Sequence, residues 1–214
     1  CTNANGSFFS DANAAIFSNK TNRPICSITD ALTLASDYYV HAHFLNESGS
    51  CSSKNLHHIN SSTTPFECLG SESTARKEGG AALLHSDFFS RMFGCEYDNE
   101  NNIYTYRFGG TQGLSENSTL VIINVHAPCS PSLCTASEEK YRTWMKVLLK
   151  RIAAERAPNT RVLLIGDLNL APRLNMDREI LRQDPSLQIR PQYKRNSTER
   201  KLWNDLCQQS NMVD

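Results

Sequence analysis

The chain has 214 residues, its 22 Lys+Arg are matched by 22 Asp+Glu, and 39% of it is hydrophobic. That apolar share is enough to bury a core, which excludes wholesale disorder, and ten Gly with eight Pro exclude a fibrous or low-complexity chain. No apolar run approaches the roughly 18 residues that span a bilayer, so no membrane-crossing helix is expected, and the length suits a single domain.

The neutral total hides an asymmetry. Residues 1–107 carry 7 basic and 11 acidic side chains, leaving the remainder net positive. Eight of the basic groups fall between Arg173 and Lys201. Such a stretch is compatible with a polyanion partner, although a solvated surface is the commoner explanation of such runs. The eight cysteines are scattered with no CxxC pair, which argues against a zinc site. Their even number and six Asn-x-Ser/Thr sequons (Asn5, Asn19, Asn46, Asn60, Asn117, Asn196) point toward a secreted chain, but the sequons exceed chance only weakly. The start at Cys1 and the stop at Asp214 read as those of a fragment.

In chain order, residues 1–80 carry little pattern. A short helix is expected from an N-cap at Ser27 through Ala35, an apolar strand at Tyr38-Tyr39-Val40, and a loop from Asn46 to Pro65. From Gly79 the signal sharpens. Gly79 to Leu84 suits a buried strand entered through glycines, and Ile103 to Phe108 has the composition of a strand. Thr119 to Val125 is a continuous β-branched run, which predicts a central strand covered on both faces. Thr135-Ala136-Ser137-Glu138 fits a capping box, and Tyr141, Trp144, Met145, Leu148, Leu149 and Ile152 then recur at helical spacing. Arg161 to Gly166 is predicted as a second buried strand in one sheet with 81–84 and 119–125, the 138–156 helix lying on its outer face. A last helix is expected near Ser197, with Leu202, Trp203, Leu206 and Cys207 inward, before Met212 opens another strand. Strands alternating with helices predict an α/β layered fold.

Two strand ends keep polar residues that packing does not require, Asn124-Val125-His126-Ala127-Pro128 and Gly166-Asp167-Leu168-Asn169. Asp167 and Asn169 alternate across one Leu, so on a continuing strand they face one side. A carboxylate beside a carboxamide at the end of a central strand can align a water while holding a phosphate or a hydrated cation. Gly-Asp and Asn are also ordinary turn formers, and His126 is equally explained as a histidine hydrogen-bonded at a strand end.

The succession GGAALL at 79–84, VIINVHAP at 121–128 and LIGDLN at 164–169 resembles the endonuclease/exonuclease/phosphatase superfamily. The continuation GDLNLAPRLNMDRE, with Asp177-Arg178, and the closing LWNDLCQQSNMVD are similar to the endonuclease domain of non-LTR (LINE-type) retrotransposons. The resemblance covers 79–214, with 1–78 divergent, and implies one partial domain of the superfamily's α/β sandwich, incomplete at its C-terminus. It implies that Asp167 orients or deprotonates the attacking water, that Asn169 and His126 contact the scissile phosphate, and that Asn124 and Arg178 bind substrate. Mg²⁺, or Mn²⁺ in its place, is the implied cofactor, DNA the partner, a downstream reverse transcriptase domain a companion in the full protein, and the nucleus the location.

Departures accompany the likeness. Cys129 stands where an Asn is usual. Spacing lays Ala42 on the metal-binding Glu, with Glu67 and Glu72 less well placed, and Asn19 or Asn22 on the first catalytic Asn. The Ser-Asp-His block falls beyond Asp214. These departures predict weak or no hydrolysis. The alternatives are a cellular phosphoesterase acting on a phospholipid or inositol phosphate, although Leu170-Ala171 replaces the Tyr-Arg usual there, and a non-catalytic relic or binding module of the same fold.

Overall fold

A β-branched segment can shed water from both faces only when it has a partner on each edge and a layer on each side. The run from Thr119 has both neighbours. The computed structural model describes residues 2–3, 40–46, 65–71, 79–110, 118–129, 131, 134–170 and 197–212. It divides into two compact units, one formed by residues 1–126 with 155–167 and the other by 127–154 with 168–214.

The first unit holds two four-stranded sheets. In one, β1 (Thr2–Asn3), β2 (Ala42–Asn46), β4 (Gly80–His85) and β3 (Phe66–Gly70) lie in that order. In the other the order follows the chain, β5 (Met92–Asp98), β6 (Ile103–Gly109), β7 (Thr119–His126) and β8 (Thr160–Asp167). The α1 turn (Ser86–Phe89) leads from the first sheet to the second. The β7–β8 pair is parallel, which requires the intervening chain to cross over, whereas β5, β6 and β7 run antiparallel.

The core explains the split. Phe44, Ala82 and Leu84 from the first sheet meet Tyr104, Tyr106, Phe108 and Ile122 from the second. Gly80, which opens β4, has no room for a side chain because the ring opposite it is large. A Cβ at Gly80 would stand 2.4 Å from the Tyr104 ring. Phe44 packs on Tyr106 at 5.2 Å between ring centroids, and Phe88 stacks on Phe108 at 4.3 Å. Such pairs contribute roughly 0.5–1.5 kcal/mol beyond area burial. Burial pushes the Tyr106 phenol well above its usual range, and its hydroxyl has no hydrogen-bond partner among the described residues.

Here the expectation of one sheet for 81–84, 119–125 and 161–166 fails in part. The last two are neighbours, but β4 belongs to the opposite sheet. An apolar run specifies burial and leaves the choice of hydrogen-bonding partner open. The second correction concerns β8. It is paired with β7 alone among the described residues, none of its residues is buried, and Leu163 is 47% exposed.

Arg107 on β6 donates from Nε to Glu155 at 2.8 Å, again to Glu155 from Nη2, and from Nη2 to Glu96 at 3.0 Å. These two carboxylates hold the guanidinium in its charged form.

The helix α2 (Thr135–Glu155), in the second unit up to Ala154, buries Tyr141, Trp144, Met145, Leu148 and Ile152 of the stripe that helical periodicity predicts, while Leu149 is only half-buried. The helix begins at Thr135, three residues before the expected 138. The Cys134 carbonyl accepts from the Glu138 N–H at 3.1 Å, so the cap falls at Cys134 and the capping box with Thr135 does not form. Glu138 pairs instead with Arg142 one turn on. The exposed Cys134 thiol lies 3.2 Å from the Ser137 hydroxyl, a contact that pulls its pKa down. The second helix here, α3 (Ser197–Ser210), buries Leu202 and Leu206, with Trp203 and Cys207 half-buried. The Met212 N–H returns to the Cys207 carbonyl at 3.2 Å and closes this helix; the rest of the strand expected from Met212, residues 213–214, lies outside the described residues.

The helix expected at 27–35, and most of the strand at 38–40 and the loop at 46–65, lie outside the described residues. No described helix is long and apolar enough to cross a membrane. Cys95, Cys129, Cys134 and Cys207 are free thiols, and Cys68 is buried on β3.

Candidate active site

His126 and Asp167 close two adjacent parallel strands and are register partners, the last pair of the β7–β8 ladder. Register partners in a parallel pair point to the same face, so the imidazole and the carboxylate share one side of the sheet about 4.8 Å apart at the backbone. Both are partly exposed. The His126 N–H donates to the Asn102 carbonyl at 3.0 Å, and Asn102 in turn accepts from the Tyr104 hydroxyl at 3.0 Å. The end of β7 is thus tied to the turn before β6.

The glycine of GDLN has a structural reason. Gly166 has a φ of 126°, and a Cβ there would meet the Val125 carbonyl oxygen at 2.0 Å. Only glycine lets β8 approach β7 this closely just before Asp167. Gly166 therefore belongs to the strand and not to a turn.

Asn169 departs from the expectation. The strand stops at Asp167, and Asn169 has a left-handed φ of 49°, so the two-residue alternation does not extend to it. Within the second unit its Nδ2 donates to the Ala127 carbonyl at 2.8 Å, and the Tyr141 hydroxyl donates to the Leu168 carbonyl at 2.7 Å. These bonds join the segments that leave β7 and β8. Cys129 is exposed.

Asn124 is a correction. It is fully buried between the sheets of the first unit, and its Nδ2 reaches the Leu45 carbonyl at 3.4 Å. A side chain so enclosed does not touch substrate. Arg178, Glu72, Asn19 and Asn22 lie outside the described residues.

Ala42 is a second correction. Asn46 Nδ2 donates to the Val125 carbonyl at 3.0 Å, which sets the C-terminal end of β2 beside the end of β7 that carries His126. Ala42 begins β2, about 13 Å back along the strand. Glu67 is the register partner of Leu84, as Ala42 is, and so belongs to that same far end. On β2, the end that lies beside His126 is therefore the Asn46 end. The residue that follows Asn46 is Glu47, which lies outside the described residues. Asn3 on β1 is the parallel register partner of Asn46. Asn46 and Asn3, each closing a short strand, are the polar strand ends that sequence reasoning passed over. Asn46 also heads a sequon, but at 1% exposure its carboxamide is closed to glycosylation in the folded chain.

Among the described residues no group of three His, Cys, Asp or Glu side chains is arranged to hold a metal. Mg²⁺ takes one or two carboxylates and keeps several waters. Asp167 with one further carboxylate meets that chemistry, and His126 adds a nitrogen donor better suited to Mn²⁺.

No protein-family model matches the sequence, and no curated protein sequence matches it significantly. Solved structures do match. An AP endonuclease, LMAP from Leishmania major, aligns with all of this chain and 66% of its own length at 15% identity and a TM-score of 0.62. The 3′ phosphatase NExo from Neisseria, solved with product DNA hairpin, aligns over 85% of this chain and 65% of its own at 14% identity and a TM-score of 0.56. The catalytic domain of Xenopus laevis APE2 aligns over 73% of this chain and 63% of its own at 15% identity and a TM-score of 0.52. The chain thus spans just under two thirds of the length of these structures. At such identities the likeness is one of fold, and that fold is the α/β sandwich of the AP endonucleases and related nucleases.

Proposed function

We propose that this chain is a metal-dependent phosphodiesterase domain that nicks DNA by in-line attack of water, of the retroelement endonuclease type. The observation that carries the reading is the His126–Asp167 register pair at the C-terminal ends of adjacent parallel strands. Asp167 takes the proton of the attacking water, and His126 donates a hydrogen bond to a phosphate oxygen. Asn169 orients the phosphate. The retroelement assignment rests on the likeness of the 166–179 and 202–214 segments and carries with it a downstream reverse transcriptase domain. The basic residues between Arg173 and Lys201, Arg178 among them, supply phosphate neutralisation for the DNA.

Mg²⁺, when bound, neutralises charge that builds on the phosphate and the leaving oxygen. We assign its carboxylates to Asp167 and Glu47, in place of the position laid on Ala42. This removes one of the grounds for expecting weak or no hydrolysis.

The test is nicking of supercoiled plasmid in Mg²⁺ by the wild type, Asp167→Ala and Glu47→Gln, with electrophoretic shifts at low and moderate salt. The expected result is slow nicking that falls about 100-fold or more in Asp167→Ala, with salt-sensitive binding retained. Nicking that survives Asp167→Ala sinks the site. Hydrolysis of a small phosphodiester by a chain that leaves plasmid intact moves the substrate away from DNA.

A further inference from the structure

The two carboxamides that join the sheets do so reciprocally. Asn46 donates to the carbonyl that follows Asn124, at 3.0 Å, and Asn124 donates to the carbonyl that precedes Asn46, at 3.4 Å, the weaker of the two. Both side chains are buried, at 1% and 0% exposure. Nearby positions on the same strands, Phe44 and Ile122, face the interface as ordinary core residues. An apolar pair would fill the same volume without the desolvation cost of two amides. What a directional hydrogen bond adds is register. Apolar contacts tolerate sliding by an ångström, whereas a bond held near 3.0 Å does not.

The placement gives that register a use. Asn124 is two residues before His126, so the two share a face of β7. Asn46 is the last residue of β2. The clasp therefore ties the ends of two strands in opposite sheets at the end where His126 and Asp167 lie, and not in the middle of the core.

We infer that Asn46 and Asn124 are positioning residues, which hold the ends of β2 and β7 in one fixed register and so set His126 for reaction. The inference deepens the proposed phosphodiesterase reading and rests on it for its catalytic consequence, though not for its structural one. Neither residue touches substrate. The clasp acts as one device, since each carboxamide is anchored by the strand that carries the other.

The experiment compares Asn46→Leu, Asn124→Leu, the double variant and a core control, Ile122→Val, all in the same 214-residue chain. Two readouts are taken, plasmid-nicking kcat and KM, and amide hydrogen exchange along β7. Each Asn variant is expected to lower kcat about tenfold with KM for DNA within about twofold. The double variant should be no worse than the poorer single one, because residues acting as a unit are not additive. The His126 amide, which donates to Asn102, should exchange at least about tenfold faster relative to wild type while Val121 changes little. Ile122→Val should leave kcat unchanged. Exchange that rises uniformly along β7, with kcat following the Ile122→Val control, makes the two asparagines packing residues and overturns the inference. A wild type that nicks nothing removes the phosphodiesterase reading, and the clasp is then judged on His126 exchange alone, where no selective change overturns it.

Discussion

β7 and β8 are neighbours built from similar residues, TLVIINVH and TRVLLIGD, and they have opposite fates. Five consecutive residues of β7 are buried, from Val121 to Val125, while β8 has none and leaves Leu163 47% exposed. The difference lies in their surroundings. β7 is flanked by β6 and β8, whereas β8 has β7 alone among the described residues. Burial is a property of position in the sheet, and an apolar run states only that burial is tolerated. Yet the half-exposed strand contributes Asp167, and its one stringent demand is at Gly166, where it meets β7.

The sharpest way to break the comparison is at that contact. Gly166→Ala forces a Cβ against the Val125 carbonyl in a conformation alanine resists, and should cost at least about 4 kcal/mol in urea unfolding. Gly94→Ala, whose Cβ would find its nearest neighbour at 3.9 Å, is the control and should stay within about 1 kcal/mol. Equal losses at the two glycines would deny that the β7–β8 approach is special.

Next comes truncation on either strand. Ile123→Ala on β7 should cost about 2–5 kcal/mol and Leu163→Ala on β8 under about 1, measured by the same unfolding curves. A Leu163→Ala loss as large as that of Ile123→Ala would mean that β8 is covered in solution. A smaller effect is expected at the Arg107–Glu155 pair of the first unit. A double-mutant cycle on Arg107→Ala and Glu155→Ala should give a coupling of roughly 1–3 kcal/mol, since the pair is mostly withdrawn from solvent and bonded twice.

The smallest effect belongs to Tyr106. Removal of a hydroxyl with no partner among the described residues by Tyr106→Phe should shift stability by less than about 1 kcal/mol at pH 7. Its phenol is raised in the folded state, so the folded chain holds that proton when the unfolded chain has released it. Stability from this group is complete below about pH 10 and falls as pH rises beyond it. Tyr106→Phe should flatten that alkaline decline; an unchanged slope would place its cause elsewhere.

Local pattern accounts for much of this architecture. The β7 run, the stripe of α2 from Tyr141 to Ile152, the helix from Ser197 and the polar strand ends at His126 and Asp167 are all legible in the sequence. Each is carried by residues near one another in the chain, where periodicity of two or 3.6 is visible. The features that local pattern misplaces share a cause too. β4 in the opposite sheet, Ala42 at the wrong end of β2, and Asn124 turned inward all depend on which segments lie side by side, and 79 residues separate Asn46 from the carbonyl it holds.

By itself, then, the sequence determined the kinds of element, their order and the chemistry gathered at two strand ends, because side-chain periodicity and β-branching act locally. Tertiary structure decided which strands became neighbours, that Gly166 must lack a side chain, that Asn46 and Asn124 face each other, and that β8 stays half-exposed. Those outcomes depend on hydrogen-bond partners and steric approach between distant segments, and distance in space is not written in the spacing of residues along a chain.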